Sequence, residues 1–117
     1  MTLRIPAATY RLQFTSEFGF DEAAALIPYL DALGITDLYA SPFMQAREGS
    51  EHGYDVTDPR RLDSDVGDRV DFVGMLAALK DRGMGLLLDI VPNHMAASPE
   101  NPWWRDVLRW GPNSIHP

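Results

Sequence analysis

Two short runs hold the side chains best suited to chemistry. One is Asp89-Ile90-Val91-Pro92-Asn93-His94; the other is Glu51-His52-Gly53-Tyr54-Asp55-Val56-Thr57-Asp58-Pro59. Carboxylate, amide, imidazole and phenol groups together suit a sugar site. Hydroxyls need oriented donors and acceptors, and the C–H face of a pyranose stacks on an aromatic ring. Gln13 and the pair Ser41-Pro42 add polar groups at the ends of two further apolar runs.

Each residue taken alone also has a structural reading. Asp89 inside an apolar run could be a carboxylate satisfied by a nearby arginine or a backbone donor. His94 could anchor a loop, Tyr54 could pack, and Asp55 and Asp58 could bond their own turns. Trp103, Trp104 and Trp110 read as packing residues of a short helix, and His52 and His116 carry no signal of their own.

Other chemistries are poorly served. No second histidine stands at helical spacing from His94, so the zinc-protease pattern is missing. There is no Gly-x-Ser-x-Gly elbow and no Walker loop. Gly83-Met84-Gly85 precedes an apolar run instead of following one, which argues against dinucleotide binding. Asn93 with dispersed carboxylates falls short of a calcium shell, so no metal site is expected.

The elements that must position these residues alternate between strand and helix. Residues 9–14 alternate apolar and polar side chains as a strand does. Asp21 is expected to cap a helix reaching Leu33, with Ala23, Ile27, Leu30 and Leu33 on one face. Pro28 should bend it, and Gly34 suits its left-handed stop. Residues 35–40 read as a second strand. A polar stretch from about Met44 to Gly67 reads as a long functional loop. A second helix spans about Arg69 to Arg82, stopped by Gly83. Residues 85–91 form an almost unbroken apolar run, the mark of a parallel strand buried on both faces. Asn101-Pro102 opens a short helix to Trp110 as N-cap and first-turn proline.

Strands separated by helices imply a parallel α/β sheet with right-handed crossovers. The 117 residues carry a net charge of −7 and only ten scattered basic groups, which excludes a nucleic-acid partner. No cysteine is present, so disulfides are excluded. No apolar run is long enough to span a membrane, and the first residues lack a signal-peptide layout. The expected setting is cytoplasmic.

Asp89 to His94 resembles the first signature region of the α-amylase superfamily. His52 to Asp58 resembles the loop of that superfamily whose tyrosine stacks on the sugar at the cleavage point. Pro6 to Phe14, Leu38 to Pro42 with Gly49-Ser50, and Asn101 to Trp104 are similar to its maltooligosyl trehalose synthase branch. The resemblance implies the first three β/α units of a (β/α)₈ TIM barrel, with 1–117 as a single partial catalytic-barrel domain. It implies conversion of the reducing-end α-1,4 linkage of maltooligosaccharides to α,α-1,1 by intramolecular transglucosylation, with no cofactor. It gives Tyr54 the platform, and it gives His94 a hydrogen bond to a hydroxyl of the same glucose. Asp89 would orient an arginine from a fourth strand outside the chain, Asn93 would brace the loop, and Asp55 would shape the pocket. The catalytic nucleophile and acid/base would lie beyond Pro117, leaving the isolated chain inactive. The uncovered edge of a three-stranded sheet is expected to make it self-associate. A hydrolase of the same superfamily and a non-catalytic glucan-binding module are the alternatives.

Overall fold

A computed structural model describes residues 3–116. The elements run β1 (Thr9–Leu12), α1 (Phe20–Ala32), β2 (Asp37–Ala40), β3 (Met44–Ala46), β4 (Val56–Leu62), α2 (Arg69–Asp81), β5 (Gly85–Leu88) and α3 (Pro102–Trp110), closed by a single 3₁₀ turn at Gly111–Asn113. β1, β2 and β5 form a three-stranded sheet in that order, and both of its ladders are parallel. No helix among the described residues is long and apolar enough to cross a membrane.

The alternation along the strands divides the sheet into two faces. Leu12, Leu38, Ala40 and Leu86 turn toward α1 and α2 and join the core with Phe20, Ile27, Leu30, Met75 and Leu79. Phe14, Phe18, Phe20, Phe43 and Phe72 interlock at ring-centroid distances of 5.2 to 6.2 Å. Phe20 is fully buried, and burial of such a ring stabilises the fold by about 1.5–3 kcal/mol. The opposite face carries Arg11, Tyr39 and Leu87 at one level of the register.

The helix stops fall where the sequence puts them: Gly34 and Gly83 take φ values of 91° and 65°. The third helix opens as expected, with the Asn101 side chain accepting from the N–H groups of Trp103 and Trp104. The first helix starts differently. Its N-cap is Gly19, not Asp21, and Glu22 reaches back to accept from the Gly19 N–H. Pro28 lies inside a helix that continues to Ala32.

Three further expectations need correction. The stretch from Met44 to Gly67 is not merely a loop, since β3 and β4 form an antiparallel hairpin within it, with two irregularities in register. The third parallel strand ends at Leu88 and is not buried on both faces. Leu88 is 49% exposed and Ile90 67%, because β5 has a neighbour on one side only among the described residues. Trp104 and Trp110 stay exposed, so the tryptophans do not all pack. Trp103 alone among them finds a partner across the fold, lying under the Arg60 guanidinium at 4.5 Å.

Candidate functional site

The register brings the strand ends level. Leu12, Ala40 and Leu88 pair across the sheet, so Gln13, Ser41 and Asp89 follow in a row at its C-terminal edge. The Ser41 N–H donates to Leu12 O and the Asp89 N–H to Ala40 O, both at 3.1 Å, continuing the ladders one residue further. In parallel α/β sheets this edge is where ligands bind.

The loop from Arg47 to Asp55 folds back over that edge. Gln13 Nε2 donates to the Glu51 and His52 carbonyls at 3.0 and 3.3 Å. Ser50 Oγ donates to Asp55 Oδ1 at 2.6 Å and accepts from the Gly53 N–H. Gly53 is buried at φ 79°, and a Cβ there would collide with the Pro42 carbonyl. Only glycine satisfies both constraints. The chain therefore emerges at Tyr54 in one defined direction.

Tyr54 and Asp89 meet directly. The phenol donates to Asp89 Oδ2 at 2.5 Å. Arg11 completes a triangle, with Nη1 donating to Asp89 Oδ2 at 3.0 Å and Nη2 to the Tyr54 oxygen at 2.8 Å. The guanidinium also lies over the ring of Tyr39, its register partner, at 4.8 Å. The hydrogen bond to Asp89 raises the Tyr54 pKa above its ordinary value. Partial burial adds to this, and Arg11 opposes it. The phenol is thus a neutral donor at neutral pH. The His52 ring stacks beside Tyr54 with an interplanar angle of 20°, while its Nδ1 accepts from the Tyr54 N–H.

The other expected residues are arranged around this triangle without joining it. Asp55 is half-buried and held by Ser50. Asn93 and His94 are exposed and paired with each other, Oδ1 to Nδ1 at 2.9 Å. Asp58 sits within β4 rather than in a turn, where its carboxylate accepts from the Arg60 N–H and guanidinium. Ser41 is structural, its Oγ accepting from the buried Phe14 N–H. A mostly apolar cavity of about 240 Å³ lies between the hairpin and the end of β5, with Asp89 on its wall. A larger groove of about 700 Å³ beside α2, lined by Leu62, Phe72, Val73 and Leu76, holds none of the motif residues.

Arg11 and Tyr39 were not singled out from sequence. The signal for Arg11 was present: a charged residue shares the strand face of Gln13, on the side away from the core. Which carboxylate it meets depends on β1 and β5 flanking β2, and no local pattern states that.

The chain matches the family model described as alpha amylase, catalytic domain, over residues 24–115. A putative maltooligosyl trehalose synthase of Mycobacterium tuberculosis is 44% identical over 116 residues, covering 93% of this chain and 15% of that protein. An α-amylase, MalA, of Haloarcula japonica is 34% identical over 98 residues, covering 84% of this chain and 14% of that protein. The solved maltooligosyltrehalose synthase of Arthrobacter ramosus superposes with a TM-score of 0.91 at 44% identity, over 95% of this chain and 15% of that one. The chain thus spans about 15% of the length of the synthases it matches.

Proposed function

Because this chain belongs to the α-amylase catalytic-domain family, we propose that it supplies part of the glucan cradle of a maltooligosyl trehalose-forming enzyme. Its fold is the α/β architecture of the family's (β/α)₈ barrel, contributing three parallel strands. The observation that carries the reading is the bond between Tyr54 and Asp89. It unites the two motif loops at the C-terminal edge of the sheet.

In this reading the Tyr54 ring is the stacking surface for the glucose before the scissile bond, and His94 bonds a hydroxyl of that glucose. Asp89 keeps Oδ1 for a further donor, since both bonds described fall on Oδ2. Asn93 braces the loop and Asp55 the pocket wall. The bond-breaking carboxyls lie elsewhere in the complete protein, so 1–117 is a partial barrel domain, inactive alone. The complete reaction attaches the glycan's anomeric carbon to an enzyme carboxylate, and the α-1,4 oxygen leaves protonated on the terminal glucose. That glucose's anomeric hydroxyl then displaces the carboxylate, forming the α,α-1,1 link with no net water consumed. A cytoplasmic setting belongs to the same proposal, as does self-association of the isolated chain through the free edges of β1 and β5. A monomeric mass in solution would exclude the latter.

The testing experiment treats maltopentaose with the complete enzyme and follows reducing ends and chain length together. Loss of reducing ends without shortening supports the synthase. A gain of reducing ends identifies a hydrolase of the same family, the alternative that the likeness to an α-amylase favours.

A further inference from the structure

The Arg11 guanidinium is engaged on three sides, by the ring of Tyr39 beneath it, by Asp89 Oδ2 and by the oxygen of Tyr54. Its side chain is 37% exposed, and a solvent-facing ion pair contributes little to stability. So complete an engagement calls for another explanation.

Geometry supplies one. A phenol held only by Asp89 can pivot about that single bond. The second bond, from Arg11 to the phenol oxygen, restrains that pivot from another direction. Resting on the sheet through Tyr39, the planar fork also sets the height at which both partners are held. An ammonium group reaches either partner as a point charge but cannot present two parallel donors.

We infer that Arg11 is a positioning residue that sets the orientation of the Tyr54 ring, and through Asp89 the edge of the sugar subsite, without touching the bonds that change. The inference rests on the reading of Tyr54 as a sugar platform.

The test is a double-mutant cycle in the complete enzyme. Arg11→Met and Arg11→Lys are each made with Tyr54 intact and with Tyr54→Phe, measuring kcat and KM for maltopentaose separately and thermal unfolding alongside. Arg11→Met is expected to lower kcat/KM about tenfold to a hundredfold, the effect of a displaced binding surface. Once Tyr54 is phenylalanine it should cost clearly less than with the tyrosine in place, since the bond to the phenol is already gone and only that to Asp89 remains to be lost. Arg11→Lys should fall between, keeping the charge but not the fork. Equal losses in the two backgrounds would overturn the inference, as would losses that merely follow thermal stability. Should Arg11→Met fail to fold, Arg11→Lys carries the same cycle with the same criterion. A wild-type enzyme that leaves maltopentaose unchanged sinks the functional reading and this inference with it. An active wild type with additive losses sinks the inference alone.

Discussion

Tyr54 and Asp89 lie 35 residues apart, yet the phenol of one donates to the carboxylate of the other at 2.5 Å. The bond separates two contributions of the tyrosine, its ring and its hydroxyl. In the complete enzyme of the proposed function, Tyr54→Phe keeps the ring and is expected to lower kcat/KM for maltooligosaccharides about tenfold, the worth of one charge-assisted bond. Tyr54→Ala also removes the platform and should cost clearly more. Steady-state kinetics on the two variants distinguishes them, and equal losses would mean the ring carries no sugar.

Asp89→Asn keeps an acceptor but removes the charge that faces Arg11. The Asp89 side chain is only 17% exposed, but its arginine partner is more open to water. The change should therefore leave the melting temperature within about 4 °C. Activity should fall at least about tenfold. Calorimetry together with kinetics checks the split. A large loss of stability would recast the triangle as a structural device.

Gly53 and Gly34 offer a matched comparison, for both have positive φ, 79° and 91°. At Gly34 an added methyl meets nothing within 4 Å, whereas at Gly53 it meets the Pro42 carbonyl. Gly34→Ala is expected to cost about 1–2 kcal/mol of stability, the left-handed backbone penalty, without changing activity. Gly53→Ala adds a collision and must shift the loop, so Tyr54 is displaced and activity falls as well. Denaturant unfolding and kinetics on both variants test the contrast.

Acid should act through Asp58. The hydrogen bond from Arg60 holds its carboxyl below the ordinary value of 3.8, outweighing its burial. A depressed folded-state pKa means a stabilising contribution that is full above the unfolded value and is lost as pH falls through the folded one. Melting temperatures from about pH 7 to about pH 3 should stay level and then drop below about pH 4. Asp58→Asn should be less stable at neutral pH and show a shallower drop. Asp63 acts in the opposite sense, because burial raises its pKa, so Asp63→Asn should show no added loss at neutral pH.

The parallel framework was legible because its signals are local. Apolar runs end at Gly34 and Gly83, and Asn101-Pro102 announces the third helix. The hairpin was hidden by Pro59 and the charged run Asp58 to Arg61, which a paired strand rarely contains. The ladder tolerates them because its register is irregular there. The first cap was missed because a glycine has no capping side chain, and Glu22 supplies the bond from inside the helix. Tyr54 and Asp89 were found by motif, whereas their juncture with Arg11 exists only once strands distant in sequence are paired. The exposed tryptophans mislead for a related reason, since amphipathic spacing tells which face is apolar but not whether this chain covers it.

The hairpin gives the site an uneven mechanical footing. Tyr54 rides on the hairpin loop, and the Ala96 N–H donates to Val56 O at 2.8 Å, tethering the segment after His94 to the same piece. Arg11 and Asp89 ride on the sheet. A glucose seated against Tyr54 and Asp89 would act as a second strut beside the Tyr54–Asp89 bond, between the sheet and the hairpin. The base of that hairpin, at the core ring of Phe43, is closed where the Asp63 N–H donates to the Phe43 carbonyl at 2.8 Å. Occupancy would then stiffen that base, slowing deuterium uptake at the Asp63 amide even though no sugar touches it.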